Sequence, residues 1–215
     1  LSLKKELKDI KKMDSRVKAI IFDEKKHTYT FEGRKLCGVT GAIGKIMGKS
    51  FPDTDTVKIA TIYGSDVHKE VEDYYNHGKP TLSSSGAKWV VEELFHFEDK
   101  ITDNSSHDRV VSVESEVMVS DFIATASKVD IVLRTLAGKA YLFDIKTTSK
   151  FDREYCSYQL SVYKRLYEQC YNEKVVGLYV LGTKSQRAFR IIEQSKERVD
   201  RILKINKELL GIKEE

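Results

Sequence analysis

Cysteine, proline and long hydrophobic runs are all scarce in this chain of 215 residues. The three cysteines, Cys37, Cys156 and Cys170, are widely separated and form no CxxC pair, so neither a disulfide framework nor a zinc site is expected. A reducing, cytoplasmic compartment fits this cysteine usage best. Only two prolines together with 10% aromatic residues argue against a disordered chain. Because no apolar run approaches the roughly 18 residues that span a bilayer, and the start has no apolar signal core, we expect neither a membrane partner nor an export signal.

A strong charge of one sign is also missing. The sequence has 37 basic and 33 acidic residues, a net charge of +4, which is compatible with a nucleic-acid partner without requiring one. Basic residues recur over residues 4–26 and 196–207, where a solvated helix face explains them as well as a nucleic-acid surface does. The length suits one domain with a sizeable core, so residues 1–215 are expected to form a single domain, with 1–50 as an N-terminal helix and hairpin extension.

Hydrophobic periodicity predicts an α/β or α+β fold, in which helices flank a central, mixed and mainly antiparallel sheet. The predicted helices span residues 1–15, 39–48, 55–77, 86–100, 154–172 and 195–210. The predicted strands span residues 17–22, 27–31, 111–119, 128–134, 139–147, 174–182 and 187–193. In the strand at 111–119 the four valines are expected on one face, and Glu114 and Glu116 on the other.

A D-x-K tripeptide in the strand at 139–147 has the clearest chemical content. Asp144 and Lys146 share one face of the strand, roughly 7 Å apart, while Phe143 and Ile145 can be buried on the other face. Placing a charged pair at the edge of a hydrophobic core costs free energy, so it suggests a functional role. An ordinary Asp–Lys pair on the surface of a strand is common, however, and needs no such role.

The strand at 128–134 supplies a possible partner, Asp130, because the short turn between the two strands makes them adjacent and antiparallel. Two carboxylates close together repel each other unless a proton or a metal ion lies between them. Oxygen ligands of this kind suit Mg²⁺ or Mn²⁺. Beside such an ion Lys146 could orient or deprotonate an attacking water and offset charge on a phosphate.

These two strands, together with other segments, resemble the nuclease core of the PD-(D/E)xK superfamily in its RecB-like and phage exonuclease branch. The matching segments follow one another along the chain in the order found in that branch. They are residues 29–33 with 39–40, residues 64–68 with Glu72, residues 129–130, residues 144–147 and residues 158–163. The resemblance covers roughly residues 27–170 and implies a restriction-endonuclease-like core. It departs from the family at residues 126–128, Ala-Ser-Lys, where members often have a glycine.

The resemblance also implies roles for individual residues. The metal ligands would be His68, Asp130, Asp144 and the backbone carbonyl of Ile145, with Glu116 preferred to Glu114 as an additional acid. Lys146, Asp144, Asp130 and Gln159 would carry the catalysis, and Gly64, Thr147, Gln159 and Tyr163 would contact nucleic acid. Without the resemblance, His68 could be an ordinary helical histidine, Tyr163 a packing residue, and either glutamate merely solvent-exposed.

The resulting expectation is a Mg²⁺- or Mn²⁺-dependent deoxyribonuclease, an exonuclease acting on linear DNA ends. It would serve phage or bacterial replication, recombination or repair, with possible partner proteins of those processes, in the host cytoplasm if it is phage-encoded. No iron–sulfur cluster is expected, because three scattered cysteines cannot supply the four ligands it needs. The alternatives are a non-catalytic nucleic-acid-binding module on the same fold and a restriction-type endonuclease.

Overall fold

The computed structural model of the chain describes residues 15–48, 55–79, 81–103 and 108–213, and for residues 55–60 and 103 it describes the backbone only. The helices are α1 (Val39–Met47), α2 (Asp55–His77), α3 (Ser85–Asp103), α4 (Arg153–Tyr171) and α5 (Lys196–Leu209). The strands are β1 (Ile20–Asp23), β2 (Thr28–Phe31), β3 (Arg34–Leu36), β4 (Val110–Ser120), β5 (Ala126–Thr135), β6 (Lys139–Lys146), β7 (Lys174–Gly182) and β8 (Arg187–Arg190).

A five-stranded mixed sheet, β4-β5-β6-β7-β8, forms the centre of an α/β fold and is flanked by helices. Its neighbours pair antiparallel except β6 and β7, which run parallel because α4 crosses between them. The predicted mixed, mainly antiparallel sheet with flanking helices is thus confirmed. Apolar side chains of α2 and α3 pack on one face, and those of α1, α4 and α5 pack on the other.

A smaller antiparallel sheet, β1-β2-β3, forms the N-terminal hairpin region. Its buried residues Tyr29, Phe31 and Leu36 pack with Phe122 and Cys170 of the main body. A single bridge from Cys37 to Thr125 continues this sheet toward β5. The small sheet is therefore attached beside the β4–β5 connection, and this attachment brings it to the candidate site.

The predicted and observed boundaries differ by up to three residues, and two of the differences have a clear cause or consequence. Residues 15–18 are helical and the first strand begins only at Ile20, whereas the sequence predicts an extended segment over residues 17–22. The last strand ends at Arg190 and not at residue 193. The Ile191 amide still donates to the Leu178 carbonyl of β7 (2.8 Å), but the Ile192 carbonyl and the Gln194 amide bond to the hydroxyls of Ser157 and Ser161 on α4. The predicted helix over residues 1–15 lies outside the described residues apart from its last one.

None of the helices within the described ranges is long and apolar enough to cross a membrane. Cys156 and Cys170 are buried on α4 and both are free thiols, as packing residues would be. The hydroxyl of Ser84 accepts the Ala87 amide (3.1 Å) and caps the start of α3.

Candidate active site

An open cleft of about 820 Å³ lies where the N-terminal hairpin, α2 and the central strands meet. Seven of the ten predicted site residues line it: Gly64, His68, Glu116, Asp130, Thr147, Gln159 and Tyr163. The remaining three, Asp144, Ile145 and Lys146, lie at the end of β6, immediately before Thr147 in the chain. The cleft therefore gathers residues that are up to 99 positions apart in the sequence, from Gly64 to Tyr163.

Helix α2 brings His68 to the cleft because the adjacent stripe of the helix is buried. Val67 and Val71 are fully buried against the sheet, and the 64, 68 and 72 positions share a different face at i, i+4 spacing. The Nδ1 atom of His68 lies 3.7 Å from Oδ2 of Asp130 and 3.8 Å from Oε1 of Glu116. Ligand atoms of these three residues all lie within 4.8 Å of one another, so the group could hold a metal ion.

The side chain of Glu116 reaches this group because β4 changes face there. Glu116 has a left-handed backbone, with φ of 56°, which costs a non-glycine residue about 1–2 kcal/mol. Before this point Val113 packs on the α2–α3 side of the sheet, and after it Val117 packs on the opposite side. The expectation that all valines of this strand share one face is therefore wrong.

The same distortion separates Glu114 from Glu116, which regular alternation predicts on one face. Glu114 pairs with Arg134, whose guanidinium bonds to Tyr167 on α4, whereas Glu116 meets His68 on α2. The packing of β5 shows the matching change: Val129 packs on the α4 side and Ile131 on the α2 side, not together as a regular strand would have them. Asp130 lies between the two, at the break in alternation.

Asn76, at the end of α2, stabilises the distorted strand. Its amide nitrogen donates to the Ser115 carbonyl (2.7 Å), and its side-chain oxygen accepts the Ser115 amide (3.0 Å). The side chain thus replaces both hydrogen bonds that a neighbouring strand would make.

The carboxylate of Asp130 also separates β5 from β6. Register pairing between these strands ends at Ile131 and Phe143. One step further along, Oδ2 of Asp130 accepts the backbone amide of Ile145 at 2.7 Å. The side chain therefore fills the position that the next strand-to-strand hydrogen bond would occupy, and it is fixed beside His68.

A second group forms on the α4 side of β6. Lys146 Nζ lies 3.0 Å and 2.7 Å from the two oxygens of the buried Asp144 carboxylate, and donates to Oε1 of Gln159 at 3.3 Å. The amide of Gln159 donates to the hydroxyl of Tyr163 (2.9 Å), which also accepts from Ser127 (3.2 Å). The predicted sharing of one face by Asp144 and Lys146 is confirmed.

The charges of the first group are strongly interdependent. Burial disfavours the charged form of His68, but Asp130 and Glu116 outweigh it and raise its pKa to about 9. Burial raises the pKa of Asp130 well above its ordinary value, against the effect of His68. Burial acts in the same direction on Glu116, yet His68 and Lys128 together lower its pKa. The protonation of His68 and that of Asp130 and Glu116 therefore depend on one another.

Lys146 remains charged in this environment. Burial opposes its ammonium form, but Asp144 and then Asp130 outweigh that effect and raise the pKa of Lys146. The side chain accordingly acts as a cation and a hydrogen-bond donor.

The positions predicted to contact nucleic acid differ in accessibility. A Cβ on Gly64 would meet the Thr147 hydroxyl at 3.0 Å, so this glycine makes room for Thr147. Tyr163 is buried, and its hydroxyl is taken up by Gln159 and Ser127. Tyr163 therefore holds the side chain of Gln159 in place.

The roles predicted for Asp144 and Ile145 as metal ligands stay predictions. The Asp144 carboxylate is paired with Lys146 and not with the His68 group. At Ile145 the predicted ligand is the backbone carbonyl, and the backbone amide of the same residue donates to Asp130.

Three residues of the site escape prediction from the sequence: Asn76, Ser127 and Lys128. Lys128 pairs with Glu116 (3.4 Å), and its ammonium lies 4.6 Å from the centre of the Phe22 ring. Ser127 and Lys128 belong to the segment that departs from the family pattern, and that departure was a usable signal. Asn76 had no such signal, because its partner lies 39 residues away.

Comparison with known proteins does not assign the chain to a family. The chain matches no known protein-family model, and no curated protein matches it significantly.

Proposed function

We propose that the protein is a Mg²⁺- or Mn²⁺-dependent deoxyribonuclease of the PD-(D/E)xK type that degrades linear DNA from an end. The observation that carries the proposal is the meeting of His68, Glu116 and Asp130 from three separate elements, with Lys146 next to them, at an open cleft. A surface cluster of acids would not need a distorted strand to form it. The mixed sheet, with antiparallel β4 to β6 followed by parallel β7, is compatible with the restriction-endonuclease-like core that the motifs suggest.

The chemistry of the donor set fits such an ion. Two carboxylates and one imidazole are ligands for Mn²⁺, and carboxylates with waters are ligands for Mg²⁺. Burial, with the nearby Asp144 and Glu116, raises the pKa of Asp130, so a bound cation would favour its charged form. When bound, the ion would offset negative charge on the phosphate and acidify an attacking water.

The backbone of β6 offers an additional oxygen. The carbonyl of Lys146 accepts the Thr183 amide and so points toward β7. Since successive strand residues point their backbone groups to alternate sides, the Ile145 carbonyl points the other way, like its amide, toward Asp130. This orientation supports Ile145 as a further ligand.

Lys146 would act on the substrate as a fixed cation. Its raised pKa favours donating a hydrogen bond to the attacking water or to a phosphate oxygen over removing a proton. Asp144 and Gln159 hold the ammonium in place, and Tyr163 holds Gln159. A preorganised charge of this kind costs no reorganisation during the reaction.

Incubation of end-labelled linear DNA and closed circular DNA tests the proposal, each with EDTA, Mg²⁺ or Mn²⁺. We expect metal-dependent release of nucleotides from linear DNA only. Lys146→Ala should be inactive, and the matched control is Lys174→Ala, an exposed lysine at the opposite end of the neighbouring strand. Full activity of Lys146→Ala, or activity in EDTA, would contradict the mechanism. Cutting of closed circles would favour the endonuclease alternative, and binding without any cleavage would favour the non-catalytic module.

A further inference from the structure

The N-terminal hairpin forms an aromatic wall of the cleft that the proposed chemistry does not use. The Phe22 ring stacks on Tyr29, with centroids 4.6 Å apart and planes at 29°. The imidazole of His27 meets Phe22 nearly perpendicularly at 5.2 Å. Tyr29 is buried and Phe22 partly buried, whereas His27 is exposed, and all three line the cleft.

The turn between β1 and β2 holds His27 in this position. His27 has a left-handed backbone, with φ of 50°, which is uncommon for a residue other than glycine. Asp23 fixes the turn by accepting the Lys26 amide at 3.0 Å. A strained conformation persists only where its surroundings determine it, and such residues cluster at binding sites.

One ion pair connects this wall to the candidate metal centre. Lys128 lies over the Phe22 ring at 4.6 Å and pairs with Glu116 at 3.4 Å, and Glu116 in turn contacts His68. A group bound at the wall would therefore share the cleft with a phosphate held at the centre.

The charge of the wall indicates which part of a nucleic acid it would bind. The charge of Lys128 is already paired with Glu116, and Glu24 adds a carboxylate to the lining. A phosphate would therefore find little uncompensated positive charge at the wall. An exposed aromatic ring backed by two others suits a flat nucleobase, since bases stack on aromatic side chains whatever their sequence.

We propose that His27, backed by Phe22 and Tyr29, stacks on an unpaired nucleobase next to the phosphodiester to be cut, so that the site takes a single-stranded DNA end. A base inside a duplex is already stacked on its neighbours and is not free to meet the imidazole. The inference rests on the proposed function and specifies its substrate class.

A fluorescent base analogue tests the stacking directly. The probe is a single-stranded thymidine oligonucleotide carrying 2-aminopurine near one end, whose emission falls on stacking, beside the same strand in a blunt duplex. Binding is measured in EDTA at low salt, so that no cleavage interferes. The variants are His27→Asn, which tolerates the left-handed backbone but lacks the ring, and His27→Phe, which keeps a ring that cannot carry a charge. His96→Asn, an exposed histidine on α3, is the matched control.

We expect the wild type, His96→Asn and His27→Phe to bind the single strand and quench its emission, and the blunt duplex to show no quenching. His27→Asn should bind the single strand roughly tenfold more weakly and lose the quenching, because one base stack is removed. Equal quenching by His27→Asn and the wild type would overturn the inference. Equal losses in His27→Asn and His27→Phe would also overturn it, since they would indicate a charge contact to phosphate.

The same oligonucleotide with Mg²⁺ or Mn²⁺ separates this inference from the proposed function. Cleavage by the wild type together with quenching that ignores His27 would leave the nuclease proposal standing and remove the stacking site. Quenching that depends on His27, without cleavage in either metal, would leave the stacking site standing and contradict the nuclease proposal.

Discussion

The two halves of the candidate site are held in place by different means. On β6, Asp144 and Lys146 follow from ordinary strand alternation, and each finds its partner on the same strand or on α4. On β4 and β5, Glu116 and Asp130 lie where both strands change face, and Glu116 has a left-handed backbone.

The two halves differ in how well their charges are compensated by neighbouring groups. The ammonium of Lys146 is satisfied by Asp144 and Gln159. Glu116 pairs with both His68 and Lys128. Among the described residues Asp130 pairs only with His68, and it is repelled by Asp144 and Glu116. A bound cation would stabilise the second half far more than the first. We therefore expect the acid half to govern metal affinity and the lysine half to govern the rate of the chemical step.

Separate substitutions in the two halves should show this division most strongly. Asp130→Ala should abolish Mn²⁺ binding in calorimetry and lower activity by roughly a thousandfold or more, because charge stabilisation by a bound ion is worth several kcal/mol. Lys146→Ala should lower kcat by roughly a hundred- to a thousandfold with unchanged Mn²⁺ affinity. If both variants lost metal binding equally, the division between the halves would be refuted.

The pH dependence of metal binding should report on the acid half alone. His68 has a pKa raised to about 9 and must lose its proton to become a ligand. Mn²⁺ affinity should therefore rise with pH, by up to about tenfold per pH unit below that pKa, and level off above it. Calorimetry between about pH 7 and pH 9, with His68→Asn as the variant that lacks this proton, measures the effect. The same slope in His68→Asn would rule out His68 as its source.

Asn76 supports the distorted strand and should affect metal binding indirectly. Asn76→Ala removes two hydrogen bonds to Ser115, so the free energy of unfolding should fall by about 1–2 kcal/mol and Mn²⁺ affinity by roughly tenfold. The matched control is Glu70→Ala on the same helix, which removes the bonds to the Ser83 and Ser84 amides away from the cleft. The control should lose stability only. A loss of affinity in both variants would indicate a general effect of weakening α2.

The resemblance names the residues of both halves, but local sequence patterns predict the geometry of the regular half only. Alternation along β6 is a local pattern, so the shared face of Asp144 and Lys146 followed from it, whereas the place of Gln159 beside Lys146 was implied by the resemblance. The change of face at Glu116 depends on Asn76, 39 residues from Ser115, which no local period records. Unbroken alternation misplaces Glu114 relative to Glu116, and Val129 relative to Ile131.

The smallest expected effect tests whether β4 is strained at Glu116. Glu116→Gly would relieve the strain of the left-handed backbone and so raise the free energy of unfolding by about 1–2 kcal/mol. The greater freedom of glycine in the unfolded chain would lower the same free energy by about 0.5–1 kcal/mol. Glycine at Glu114, two residues away and without a left-handed backbone, brings only the cost. Each substitution also removes an ion pair, with His68 and Lys128 in one case and Arg134 in the other. Urea unfolding in EDTA should therefore leave Glu116→Gly more stable than Glu114→Gly by about 1 kcal/mol, although only Glu116→Gly weakens Mn²⁺ binding. A larger loss of stability at Glu116 than at Glu114 would show that the side-chain contacts of Glu116 outweigh the backbone strain.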